Sequence, residues 1–209
     1  MKCRGQTGFC FILPPEALLP EFPAHGVHLK EKKKPRKEAQ NTALCGVLGR
    51  EFYMIRILFV CHGNICRSPM AESIFNYMIK ENGIADKFET DSAGTSREEI
   101  GHEVHRGTVR KLKEMNIPVT SHKARQMTWV DYEYFDYIIA MDSMNVAGII
   151  RIAGNSDYDG KVHKIMEYAG EDRDVADPWY TGNFDATYDD ISRGVEGLLN
   201  TLNKKYNLF

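Results

Sequence analysis

The chain has 209 residues, 43% of them hydrophobic, enough for one medium-sized domain with a real core. Its net charge of −2 is uneven: residues 1–53 carry nine Lys/Arg against five Asp/Glu, and residues 54–209 carry 18 against 24. The acidic larger part lacks the positive footprint that nucleic-acid backbones need, so any phosphate site must be built locally.

No apolar run reaches the ~20 residues that span a bilayer. Phe9–Leu13 is halted by Pro14 and Pro15, too short for a signal peptide. Neither nucleic acid nor membrane is therefore expected as a partner. The five cysteines lie at 3, 10, 45, 61 and 66, a clustering unlike a disulfide framework. A reduced, cytoplasmic setting is expected.

Residues 1–53 show no sustained period, five prolines and the basic run KEKKKPRK at 30–37. They read as a mostly disordered basic extension. His25 and His28 have no further ligand beside them. The texture changes at Met54, which is the expected true start of translation.

From Met54 strand and helix alternate. Ile55–Val60 reads as a buried strand, and Ser68 to about Glu81 as a helix with Pro69 in its first turn. Phe88–Ser92 is a strand, Val104–Met115 a helix and Thr128–Phe135 a short helix. Then come strand Tyr137–Met141, a helix from Ser143 to about Ile152, strand Val162–Met166 and the closing helix Tyr188–Lys205. This alternation predicts an α/β fold, a parallel sheet flanked by helices in three layers. Such sheets bind ligands at the carboxyl ends of their strands.

After the first strand, at that end, lies VCHGNICRSP, residues 60–69. The Cys61–Arg67 spacing alone is a weak signal. A buried strand before it, Gly63 and Asn64 within it, and a Ser-Pro helix start behind it make it specific. Asn64 tolerates unusual backbone angles, so the peptide N–H groups of His62, Gly63, Asn64, Ile65, Cys66, Arg67 and Ser68 can line an anion cradle. The helix N-terminus adds positive potential. Arg67 suits bidentate gripping of phosphate oxygens. The same field favours the Cys61 thiolate, and Ser68 can donate to its sulfur. These residues suit nucleophilic phosphoryl transfer. A general acid is then needed, and Asp177 of DPWY (177–180) is the candidate, with Trp179 and Tyr180 walling a slot beside it.

The segments VCHGNICRSPMAE, DSAGT (91–95), SHKARQ (121–126), FDYIIAMD..N (135–145) and DPWY follow one another in that order. In this, residues 54–209 resemble the low-molecular-weight protein-tyrosine phosphatases. The resemblance implies a four-stranded parallel sheet, no cofactor and no metal. It implies Cys61 as nucleophile, Arg67 as phosphate clamp and Asp177 as general acid/base. Asn64, Ser68, Ser92 and His122 match the network that supports the loop, and Asp142 a carboxylate orienting Arg67. Cys66 matches a second loop cysteine able to trap oxidised Cys61 as a disulfide. Tyrosine-phosphorylated proteins, and a cognate tyrosine kinase, are the implied partners of a monomeric enzyme. Tyr132, Tyr134 and Tyr137 resemble a stretch that kinases modify in some members.

There are departures. Glu98 stands about where many relatives carry an aromatic slot wall, which points to tolerance of basic residues beside the phosphosite. Phosphoarginine phosphatases of the same family carry Thr in place of Ile65, whose branched apolar side chain offers a guanidinium no partner. Arsenate reductases relay electrons through downstream cysteines, and none follows Cys66. His102 and His105 lie three apart at a helix start, without a third ligand.

Overall fold

The computed structural model describes residues 54–155, 157 and 159–209. The expectations for residues 1–53 lie outside them. Four parallel strands form one sheet: β1 (Ile55–Cys61), β2 (Phe88–Gly94), β3 (Tyr137–Ala140) and β4 (Val162–Lys164), in the order β2-β1-β3-β4. Around it lie α1 (Arg67–Glu81), α2 (Arg106–Glu114), α3 (Trp129–Tyr134), α4 (Ser143–Ile152), α5 (Pro178–Thr181) and α6 (Phe184–Tyr206). The α/β sandwich expected from the alternation is the fold observed.

The central strand explains the layers. Side chains alternate along β1, so Ile55, Ile57, Phe59 and Cys61 enter one buried cluster while Leu58 and Val60 enter the other. The first cluster draws on Met70, Ile74 and Phe75 of α1 and on Val195, Leu198, Leu199 and Leu202 of α6. The second holds Tyr132, Phe135 and Ile149. With both faces covered, a near-continuous apolar strand is what a central parallel strand requires.

Element ends differ from the sequence reading in informative places. β4 stops at Lys164, because Ile165–Ala169 winds into a 3-10 turn whose Ile165 and Met166 are still buried. The apolar run satisfied the core without remaining extended. α6 begins at Phe184, four residues before the expected start, capped by Asn183, whose side chain accepts from the Ala186 N–H at 3.0 Å. α2 begins at Arg106, with the His105 ring accepting from the Gly107 N–H at 3.1 Å.

The sheet topology places the site. Cys61 ends β1 opposite Gly94, the last residue of β2, and the chain turns at once into the loop that starts α1.

Candidate active site

The loop from Cys61 to Arg67 is held from outside by its carbonyls. The Cys61, His62 and Ile65 carbonyls accept from the N–H groups of Thr95, Ser96 and His105, at 2.9, 3.0 and 2.8 Å. The Asn64 carbonyl meets His122 Nε2 at 2.9 Å. In a planar trans peptide the N–H points opposite to the preceding C=O. The amides of His62, Gly63, Ile65 and Cys66 therefore face away from these partners. Arg67 and Ser68 open α1, where N–H groups lack intrahelical acceptors.

Asn64 is the hinge of this arrangement. It has φ 59°, in the left-handed region, and is fully buried. Its amide nitrogen donates to Ser68 Oγ at 3.0 Å and Ser92 Oγ at 3.1 Å, and its Oδ1 accepts from the Arg125 N–H at 2.9 Å. Gly63 matters through space, since a Cβ there would lie 3.1 Å from Glu99 Cγ. At Gly94 a Cβ would come within 2.6 Å of the His62 carbonyl oxygen, so the loop rests directly on the end of β2.

The Cys61 sulfur accepts from the Asn64 N–H at 3.2 Å and lies 3.1 Å from Ser68 Oγ. Ser68 Oγ accepts from the Asn64 amide, and its own proton has two acceptors in reach, the Cys61 sulfur at 3.1 Å and the Ala93 carbonyl at 3.4 Å. Beside them Arg67, 3% exposed, holds two carboxylates: Nη1 donates to Asp142 Oδ2 and Nη2 to Asp177 Oδ2, each at 2.5 Å. Nη1 also reaches the Val175 carbonyl at 3.2 Å. Burial pulls the guanidinium pKa down, but Cys61, Asp177 and Asp142 outweigh it and the net shift is upward. Arg67 is a permanent cation in a buried anionic setting.

Both carboxylates are fixed by a second bond. Asp142 caps α4 through the Asn145 N–H at 2.6 Å, and Asp177 caps α5 through the Trp179 N–H at 3.0 Å. A helix cap and an arginine partner are thus the same residue in each case. The DPWY segment opens a one-turn helix with proline at its first position.

The other candidates lie around this centre. Ser92 Oγ is 3.5 Å from His122 Nδ1 and donates to Glu72 Oε2 at 2.7 Å. Burial, the largest influence, drives the His122 pKa below its ordinary value, so the ring is neutral at pH 7. Cys66 is a buried free thiol. Burial first, then the nearby Cys61 and Asp177, push its pKa up to about 12. Ile65 is buried, 8% exposed. Trp179 and Tyr180 project from α5, 57% and 83% exposed, and Glu98 Oε2 sits at 3.2 Å from His62 Nε2. His102 pairs with Glu99 at 2.6 Å, and His105 stacks on Phe184 and meets Trp179 edge-on.

Three residues escaped the sequence reading. Glu72, 4% exposed, lies one turn after Ser68 on the buried face of α1, where the mixed polar and apolar residues around it give no local sign that its carboxyl is buried. Arg125 fixes the Asn64 side chain through its backbone and pairs with Asp91 and Asp131. Gly94 admits the loop.

Among the described residues, no helix is long and apolar enough to cross a membrane. Residues 56–208 match the family described as low molecular weight phosphotyrosine protein phosphatase. The chain is 41% identical over 158 residues to the low molecular weight protein-tyrosine-phosphatase YfkJ of Bacillus subtilis, covering 74% of this chain and all of that one. The crystal structure of YfkJ superposes with a TM-score of 0.72 at 40% identity, over 76% of this chain and 99% of that one. A Drosophila arginine phosphatase structure matches with a TM-score of 0.65 at 30% identity, over 71% and 98% of the two chains. A loop built after the first strand of this sheet, on a chain of such similarity, has one family to fit: the protein belongs to the low-molecular-weight protein-tyrosine phosphatases.

Proposed function

We propose that the protein hydrolyses phosphotyrosine in proteins through a phosphocysteine on Cys61, with Asp177 as general acid and then general base. The observation that carries this is the joint position of the Cys61 sulfur, the Ser68 hydroxyl and the Arg67–Asp177 pair around one loop. In the first step the Cys61 thiolate forms the S–P bond, the P–O bond to the tyrosine breaks, and Asp177 gives its proton to the phenolate. In the second, Asp177 takes a proton from water as the water oxygen bonds to phosphorus. The S–P bond then breaks, and inorganic phosphate and the thiolate are released.

Each supporting residue has a task in that cycle. Amides 62–68 and Arg67 cradle the phosphoryl oxygens and stabilise their growing charge. Ser68 donates to the sulfur when it leaves. Asp142 keeps the guanidinium plane in register, because its bond to Nη1 is fixed by α4. Asn64, Ser92 and His122 hold the loop in shape. Trp179 and Tyr180 flank the leaving group, and Glu98 forms the remaining rim beside His62.

The similarity to an arginine phosphatase raises phosphoarginine as a rival substrate. Buried, apolar Ile65 argues against it, since a guanidinium finds no acceptor there. The test is turnover of p-nitrophenyl phosphate, phosphotyrosine, phosphoserine and phosphoarginine by wild type, Cys61→Ser and Asp177→Asn. Phosphotyrosine turnover by wild type, its loss in Cys61→Ser and an acid-stable phosphoenzyme trapped on Cys61 are expected. Asp177→Asn should lose about 10²–10⁴-fold in kcat, the worth of a general acid. Undiminished activity in Cys61→Ser would overturn the mechanism.

Cys66 fits a protective partner. Held protonated by its raised pKa, its thiol is a poor competing nucleophile for phosphate yet remains beside Cys61 to close a disulfide after peroxide has made a sulfenic acid there. Recovery of peroxide-treated enzyme by dithiothreitol should be lost in Cys66→Ala. Equal recovery in both proteins would remove the role.

A further inference from the structure

Helix α2 carries a feature that the chemistry at Cys61 does not use. Residues 106–113 read RGTVRKLK, four cations in eight residues, in a part of the chain whose balance is 18 basic against 24 acidic. Lys111 turns to Asp185, at 2.6 Å. Arg106, Arg110 and Lys113 are exposed and share the opposite side of the helix, as a spacing of four and three dictates. There they line, with Val104, Val109 and Glu114, a shallow open groove of about 770 Å³. Among the described residues neither Arg106 nor Lys113 has an acidic partner, and Arg110 has only Glu114, at 3.7 Å.

The groove starts beside the active-site loop. The His105 N–H donates to the Ile65 carbonyl at 2.8 Å, and the His105 ring meets Trp179 at 5.7 Å between centroids. From Arg106 to Lys113 the helix rises about 10 Å. That length matches about three residues of extended peptide. A row of exposed cations beside Val104 and Val109, on a helix whose start is bonded to the active-site loop, selects its occupant by charge.

We propose that this groove binds the acidic segment flanking the phosphotyrosine of the protein substrate, with Arg106, Arg110 and Lys113 reading Asp and Glu side chains within about five residues of it. The proposal rests on the phosphotyrosine phosphatase reading, and adds to it a specificity surface outside the catalytic residues.

The test compares two phosphotyrosine peptides on the full chain, one with Asp and Glu flanks and one with Asn and Gln in their place. Wild type should show a KM about fivefold lower for the acidic peptide at low salt, the scale of a few exposed ion pairs. That preference should shrink as ionic strength rises. In Arg110→Glu/Lys113→Glu the preference should vanish or invert, with kcat unchanged. Turnover of p-nitrophenyl phosphate, which has no flanks, should be the same in both proteins. Equal KM values for the two peptides in wild type, or a preference that survives both the double substitution and high salt, would overturn the proposal. If wild type turned over neither small nor peptide phosphate, the phosphatase reading would fail by itself. Fluorescence anisotropy of a labelled acidic peptide without phosphate would then decide the groove: binding lost in the double variant supports it, and no binding at low salt overturns it.

Discussion

Asn64 concentrates several demands in one residue. Its backbone is left-handed, a region where asparagine is tolerated better than most non-glycine residues. Its side chain satisfies Ser68, Ser92 and the Arg125 amide at once. The two demands are separable by mutation. Asn64→Gly keeps the backbone freedom and deletes the amide, whereas Asn64→Ala deletes the amide and adds a left-handed strain of about 1 kcal/mol. The lost buried bonds cost about 1–3 kcal/mol in either variant. Both should therefore lose phosphatase activity, with Asn64→Ala melting several degrees below Asn64→Gly. Equal melting temperatures would mean that the backbone angle imposes no cost here.

At the scale of elements, the loop depends on how closely β1 and β2 approach. Gly94 ends β2 where any Cβ would stand 2.6 Å from the His62 carbonyl oxygen and 3.2 Å from Asn64 Cβ. The obstacle is backbone, which has to move. Gly94→Ala should keep the fold, at an overpacking cost of about 1–3 kcal/mol. It should also lose on the order of 100-fold in kcat, because a shift of about 1 Å at the loop misplaces the sulfur. Circular dichroism and p-nitrophenyl phosphate kinetics check this together, and a folded Gly94→Ala of undiminished kcat would refute it.

The same elements show what the sequence revealed. β1, the loop and α4 were legible because their signals are local: an apolar run broken only by Arg56, a glycine-asparagine turn, and an aspartate before a helix. The end of β4 and the start of α6 were not. Whether Ile165 and Met166 are buried from a strand or from a 3-10 turn depends on α6 packing over them, with Gly194 against Ile165. The first turn of α6 is fixed by Phe184 against His105 and Gly107, a contact between segments far apart in the chain. In the site, Cys61, Arg67 and Asp177 stood in recognisable motifs, whereas Glu72 was masked by the helical pattern around it. Only the tertiary pairing of α1 with β2 brings it to Ser92.

That buried carboxyl is also where the molecule as a whole should respond to pH. Burial is the largest influence on Glu72; with Asp91 it outweighs Ser92 and Arg125 and raises the pKa from 4.5 to about 7. Below pH 4.5 the carboxyl is protonated in both folded and unfolded chains and the shift has no effect. Between 4.5 and about 7 the unfolded chain releases the proton and the folded one keeps it, so stability falls as pH rises. Above about 7 the loss is complete and amounts to at most about 3 kcal/mol. Neutral His122 acts in the opposite direction over part of this range: its lowered pKa favours the folded state as pH rises toward 6.5. A wild-type profile alone would mix the two. Glu72→Gln preserves the neutral shape and an acceptor for Ser92 while removing the titration. Urea unfolding of wild type and Glu72→Gln from pH 4.5 to 8 should therefore diverge steadily, with the variant the more stable at pH 8 and the difference levelling off above about 7. His122 is common to both proteins and largely cancels in that difference. Parallel profiles would mean that Glu72 ionises as easily inside the protein as outside it, leaving a full charge behind Ser92 at neutral pH.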